Sequence, residues 1–172
     1  MNEKVKIRRE EPGDAPSVRR INELAFGQPS EANLVDALRA ADAVILSLVA
    51  VEGDVVVGHI LFSPVIVESE TARFSVVGLG PMAVLPGRQK SGIGSMLVNA
   101  GLAELRRAGH EAVVVVGHPH YYPRFGFVRA STHGIRWEME VPDEAFMVME
   151  LKPGALAGRG GVVQYRPEFA AF

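Results

Sequence analysis

Residues 85–109, "LPGRQKSGIGSMLVNAGLAELRRAG", hold three glycines, Gly87, Gly92 and Gly94, among polar residues ahead of an apolar-periodic run. Ile93, Met96, Leu97 and Ala100 recur at i, i+3, i+4 and i+7, which predicts a helix over 92–108 ended by Gly109. The first N–H groups of a helix have no partner inside it, and together with the helix dipole they form an anion site. Glycines in the first turn cost roughly 1 kcal/mol each against alanine. That cost becomes intelligible if the backbone must approach a ligand closely. A phosphate at this helix start is the reading that the stretch supports.

Two familiar phosphate loops fail here. Gly87 to Gly92 has the spacing G-x-x-x-x-G, but Ile93-Gly94 stands where a nucleotide loop needs Lys and Ser or Thr. A dinucleotide fingerprint needs a third glycine and a strand directly before the first, and neither is present. What remains is Gln89-x-x-Gly92-x-Gly94 with a basic, polar approach from Arg88, Lys90 and Ser91.

Working outward, the segment before the loop is "VVGLGPMAV", 76–84. Gly78, Gly80 and Pro81 interrupt a β-branched run, as expected of a kinked or bulged strand. Its next partner is "AVVVV", 112–116, buried by composition. A kink lets the two strands pair at one end and diverge at the other. Backbone groups of Met82 and Val84 would then face a gap that an extended, amide-bearing ligand can fill as a strand would. Pantetheine is such a ligand, with two amides, a thiol at one end and a pyrophosphate at the other. Beyond the second strand comes "HYYPRFGF", 120–127. A tyrosine hydroxyl, of ordinary pKa near 10, can give a proton to a leaving thiolate whose conjugate acid has a pKa of about 8.5. Tyr121 and Tyr122 are adjacent on a turn and point differently, so one can pack while the other serves.

The remaining elements frame this centre. "KVKIRR" is a short strand. "PGDAPSVRRINELAFG" is a helix that Asp14 can cap and Gly27 closes, and Ser30 opens a second helix, "SEANLVDALRAA". Residues 45–84 read as an antiparallel meander, turning at Glu52-Gly53-Asp54 and again at "ESET", 68–71. "FMVMEL", 146–151, reads as the last strand, and the Gly- and Pro-rich tail packs down on its apolar residues. The fold class is α/β: a mixed, mostly antiparallel sheet with helices on both faces, opening between 76–84 and 112–116. The 172 residues read as one domain, 1–172. A net charge of −2 gives no basic field for nucleic acid or an anionic membrane, and no apolar run approaches the ~18 residues of a membrane span. Cysteine is absent, which removes disulfides, thiolate metal sites and a cysteine nucleophile. The charged N-terminal stretch lacks the apolar region of a signal peptide, so a cytoplasmic location is the expectation.

"LGPMAVLPGRQKSGIGSMLV" followed by "YYPRFGF" closely resembles the GNAT superfamily of N-acetyltransferases. The pattern Q/R-x-x-G-x-G/A falls on Gln89, Gly92 and Gly94, and an aromatic four residues before the glycine of "FGF" falls on Tyr122 with Gly126. "EANLVDALR", "GHILFSPV" and "FMVMELKPGAL" extend the likeness to the YhbS-like branch and over nearly the whole chain. The resemblance implies acetyl transfer from acetyl-CoA to an amine, small-molecule or protein, by direct attack in a ternary complex. It places the pyrophosphate on Gln89, Lys90, Ser91, Gly92, Ile93, Gly94 and Ser95. It places pantetheine along Met82, Ala83 and Val84, with a backbone N–H there for the thioester oxygen. It makes Tyr122 the proton donor to the departing thiolate. Related enzymes often dimerise, so a homodimer is an open expectation.

The family's general base varies, and Glu23, Glu31, His59, His118 and His120 are all candidates. A base matters because an alkylamine of pKa about 10.4 is neutral in only roughly one molecule in 2,500 at pH 7. His118-Pro-His120 has no cysteine or third aligned ligand beside it, so no metal is expected. The rival reading is a non-catalytic acyl-CoA sensor using the same cleft. A sensor needs no proton donor at the sulfur, so Tyr122 separates the two.

Overall fold

The computed structural model describes residues 4–171; residues 1–3 and 172, the ends of the expected 1–172 unit, lie outside the described residues. β1 (Val5–Arg9), β2 (Leu46–Glu52), β3 (Val55–Glu68) and β4 (Arg73–Val84) run antiparallel in that order across one sheet. The hairpin between β2 and β3 turns at Gly53, whose φ of 62° suits a residue without Cβ. β5 (Ala112–Val116) lies parallel to β4, and the sheet continues through β8 (Phe146–Glu150) to β6 (Val128–Arg129), both pairings antiparallel. A parallel neighbour demands a crossover, and α3 (Ile93–Arg107) supplies it.

The tail carries one strand more than the sequence suggested. β9 (Gly161–Gln164) pairs antiparallel with the end of β3 and parallel with β7 (Ile135–Trp137), so β8 is not the last strand. Only four residues long and flanked by Gly160 and Tyr165, β9 has too short a pattern to stand out. Its register comes from distant partners.

Helices cover both faces. α3 lays Ile93, Leu97, Gly101, Leu102 and Leu105 onto Phe62, Val77, Val113 and Met147. Met96, expected on that stripe, is 39% exposed, because the buried face is centred on 97, 101 and 105. On the opposite face, α1 (Ala15–Phe26) and α2 (Ser30–Ala40) bury Val18, Leu34, Val35 and Leu38 against Val49 and Leu61. Gly27 closes α1 in the left-handed region. Asp14 stands at the N-cap position but makes no cap bond. Its carboxylate is instead held by Arg8, at 2.7 and 3.0 Å, and by the Glu11 N–H, at 2.7 Å. The strong guanidinium pairing keeps Asp14 below the usual carboxylate range.

Candidate active site

β4 carries the kink that its glycines and proline announce. The register runs Ile60 to Met82 and then Phe62 to Leu79, so Gly80 and Pro81 together oppose Leu61 as a bulge. β4 lies inside the sheet, between β3 and β5, rather than at an edge. It pairs with β5 at two positions only, Val77 with Val113 and Gly78 with Val114. Past the bulge the strands part. Val116, at the far end of β5, is 38% exposed although the strand residues before it, Ala112 to Val115, are buried.

The divergence leaves one side of β4 without a strand. The Leu85 N–H donates to the Val57 carbonyl at 2.9 Å, so Leu85 faces β3. Backbone groups alternate sides along an antiparallel strand, so Ala83 also faces β3 while Met82 and Val84 face the gap. The Val84 carbonyl accepts from Gln89 Nε2 at 3.0 Å, which ties the loop back to the strand end. The N–H groups of Met82 and Val84 and the Met82 carbonyl point into the opening.

The opening ends at the start of α3. Gly92 is the N-cap with φ 89°, and nothing lies within 4 Å of where its Cβ would be. Lys90 also holds a positive φ of 64°, so two tight reversals present successive N–H groups at the helix start. Lys90 and Ser91 are exposed, and the Ser91 hydroxyl donates to the Arg88 carbonyl. Arg88 pairs with Glu52 of β2. Ile93 buries its side chain in the core, so only its backbone N–H faces outward. A Cβ on Gly94 would meet the Tyr121 hydroxyl at 3.1 Å and Met82 Cε at 3.5 Å. The space over Gly92 is therefore open, and that over Gly94 is bordered by Tyr121 and Met82.

The two tyrosines divide as their adjacency suggests. They begin the 3-10 turn that follows β5, with rings edge to face at 5.0 Å. Tyr121 turns toward α3, its hydroxyl 3.3 Å from Ser95 Oγ. Tyr122 turns inward and is 7% exposed, with its ring against Gly117 and edge to face with Phe127. Burial pushes the Tyr122 hydroxyl up to about 12, with a smaller push from Tyr121. Among the described residues it has no hydrogen-bond partner, yet the fully enclosed unpartnered side-chain atoms are Asn22 Oδ1 and Ser63 Oγ. Solvent therefore reaches the Tyr122 oxygen.

The candidate bases are scattered. His59 is fully buried on the α1 face, its Nδ1 3.4 Å from Asn22 Nδ2 and its Nε2 2.9 Å from Ser47 Oγ. Desolvation, with a lesser contribution from Arg39, drives it down to about 3. It is neutral, occupied and sealed from the gap. Glu31 is buried at the start of α2, accepting from Gln28 Nε2 at 3.1 and 3.2 Å. Glu23 pairs with Arg19 at 2.7 Å. The His118 carbonyl accepts from the Tyr121 and Tyr122 N–H groups, and His120 is exposed. Among the described residues no three His, Asp or Glu side chains gather as a metal site would require, and no helix is long and apolar enough to cross a membrane.

Residues 6–130, which carry the splayed parallel pair, the β-bulge and the glycine-rich helix start, match the family model for the acetyltransferase (GNAT) domain. The chain belongs to the GNAT acetyltransferase family. It is 38% identical over 167 residues, 96% of this chain and 99% of the relative, to the uncharacterized N-acetyltransferase YhbS of Escherichia coli K12. The uncharacterized N-acetyltransferase YjhQ of the same strain is 38% identical over 134 residues, 76% of this chain and 74% of its own. Among solved structures, E. coli YhbS in complex with CoA superposes with a TM-score of 0.93 at 36% identity, covering 99% of this chain and 94% of that one. A GNAT acetyltransferase from Brucella melitensis in complex with acetyl-CoA gives 0.81 at 40% identity, covering 97% and 99%. What this GNAT chain's sequence did not disclose is how Tyr121 and Arg124 sit. The Arg124 guanidinium lies 4.7 Å from the Tyr121 ring centroid. Their i, i+3 spacing in "YYPRFGF" was the available signal.

Proposed function

We propose that this protein binds acetyl-CoA in the gap between β4 and β5 and transfers the acetyl group to an amine of a small molecule or protein. The observation that carries this reading is the two-position pairing of β4 with β5, which leaves Met82 and Val84 facing an opening that leads to the start of α3. Two structural relatives with this fold hold CoA or acetyl-CoA.

Pantetheine runs along Met82, Ala83 and Val84 as a surrogate strand, with its amides answering the outward groups of Met82 and Val84. Ala83, between them, keeps its own backbone groups on β3. The pyrophosphate rests on the N–H groups from Gln89 to Ser95, where the helix dipole favours negative charge. A backbone N–H of β4 meets the thioester oxygen as it gains charge. The neutral amine nitrogen attacks the carbonyl carbon, and the C–S bond breaks. The sulfur takes the Tyr122 proton while the proton lost by the amine leaves through water and returns to the tyrosine. Burial raises the phenol, and a thiol enclosed beside it shifts in the same direction.

The test uses acetyl-CoA and a broad panel of amines, following thiol release. Wild-type protein acetylates at least one amine. Tyr122→Phe lowers kcat by 10²-fold or more, the usual range for a positioned acid, with CoA affinity little changed. Tight CoA binding with no amine ever acetylated would favour the sensor instead.

A further inference from the structure

We propose that a cavity behind the Tyr122 turn is a second binding site, for a zwitterionic α-amino acid with an apolar side chain, and that its occupancy is felt at Tyr122. The cavity, of about 410 Å³, lies between the 3-10 turn Tyr122–Phe125, the edge strand β6 and the start of β8. That volume is at the small end of the range for ligand sites. Met82, Val84 and Gly92, which border the gap, do not line it, so the two sites are separate.

The walls are apolar and the charges are largely unspent. Pro119, Pro123 and Val128 face the cavity, and Val128 is 45% exposed, unusual for a large apolar side chain on a strand. Phe127 and Met147, both buried in the core, close the floor. Arg129 and Glu144 line the same cavity with opposite charges and do not pair with each other. Arg129 gives one N–H to Asp143, at 3.2 Å, in an ion pair more than half exposed on both sides. An exposed pair contributes at most about 1 kcal/mol, and the other guanidinium donors stay free. Among the described residues no cation pairs with Glu144. Two opposite charges held apart beside an apolar wall answer a molecule that carries both. The carboxylate of an amino acid meets Arg129, its ammonium meets Glu144, and its side chain covers Val128 and the prolines. A ligand with a single charge leaves one partner unanswered.

Contact links this site to the proposed acid. The Phe127 ring meets Tyr122 edge to face at 5.7 Å, and Pro123 directly follows Tyr122. A ligand seated on Phe127 and Pro123 therefore bears on the support of the phenol. This link rests on the acetyl-transfer reading above, whereas binding does not.

The experiment is isothermal titration, without acetyl-CoA, of wild type, Arg129→Gln, Glu144→Gln and Val128→Trp. The ligands are L-leucine, its methyl ester and N-acetyl-L-leucine. Leucine binds wild type with a Kd of about 1 mM or tighter. The ester lacks the carboxylate and the N-acetyl compound lacks the ammonium, and each binds about tenfold more weakly. In Arg129→Gln leucine binds no better than the ester, and in Glu144→Gln no better than the N-acetyl compound. Val128→Trp fills the cavity and abolishes binding, and its exposed position lets the variant fold. No heat with wild type up to about 10 mM leucine would overturn the proposal. Equal affinity for the three ligands, or leucine affinity within twofold of wild type in both charge variants, would do the same. Displacement of CoA by leucine would place the amino acid in the gap and would also overturn it. Where an amine is acetylated, saturating leucine changes kcat and leaves the KM for acetyl-CoA as it was, and an unchanged kcat would overturn the link to Tyr122. Failure of the wild type to acetylate any amine counts against the functional reading and leaves the titration result standing.

Discussion

The Tyr122 ring lies so close over Gly117 that a Cβ on the glycine would fall 2.3 Å from Tyr122 Cε2. Gly117 directly follows β5, so the backbone at the end of the diverging strand and the phenol beside it are shaped to each other. Gly117→Ala must push the ring away, since a Cβ contact under 3.0 Å is not tolerated. Overpacking of this kind costs about 1–3 kcal/mol. The expected outcome is a lowered melting temperature together with a fall in kcat comparable to that of Tyr122→Phe. Because the start of α3 is untouched, the Kd for CoA stays near the wild-type value. Urea unfolding, steady-state kinetics and titration check the three parts separately.

Tyr122 also predicts an alkaline limit. Its folded pKa, about 12, lies above its ordinary value of 10.0, so the hydroxyl proposed as the acid keeps its proton across the neutral range. Between pH 10 and 12 the unfolded chain releases this proton and the native state does not. The native state then binds more protons, and stability falls as pH rises. Tyr165, also raised by burial, adds to the same slope. Urea midpoints measured between pH 9 and 11 should drop, and Tyr122→Phe should shallow the decline. An unchanged slope in that variant would show that the phenol is not desolvated in solution.

His59 predicts the acid side. Its ordinary value is 6.5 and its folded value about 3, depressed first by desolvation and then by Arg39. Here the unfolded chain takes up the proton first, so stability is intact above about pH 6.5 and declines as pH falls toward 3. The slope approaches about 1.4 kcal/mol per pH unit within that window. His59→Gln, which keeps polar atoms near Asn22 and Ser47, should flatten the decline while lowering stability at pH 7. Acetyltransfer at pH 7 should survive in whatever fraction remains folded, because His59 is sealed from the gap. Loss of turnover in a folded, CoA-binding variant would restore it to the list of bases.

What could be read from the chain was local. The meander, the turn at Gly53 and the helix after Gly92 each rest on patterns a few residues long. The splay was legible because Gly78, Gly80 and Pro81 break a β-branched run just where β4 must part from β5. Non-local partners hid the rest. β9 exists because β3 and β7 offer it hydrogen bonds across a wide span of sequence. Asp14 forgoes the helix cap because Arg8 offers a stronger partner. His59 carries no sign in its neighbours that α1 will seal it. Tyr121 and Tyr122 were known to point differently, but only the packing of Gly117 and Gly94 assigns each its direction.

The last prediction concerns the open glycine. Gly92 holds φ 89° with nothing within 4 Å of its missing Cβ, so the residue is chosen for its backbone rather than for lack of room. Alanine there costs about 1–2 kcal/mol in the left-handed region. Part of that strain is relieved if the N-cap rotates, which turns the N–H groups of Ile93 and Gly94 away from the ligand. Gly92→Ala should therefore bind CoA at least fivefold more weakly, beyond any effect on folding. D-alanine, introduced by semisynthesis, adopts positive φ without strain and adds a methyl group of the same size on the other side of Cα. It should restore both stability and affinity. If the D-residue leaves affinity as low as the L-residue does, relief of backbone strain does not restore binding and the geometry of the cap is not what matters.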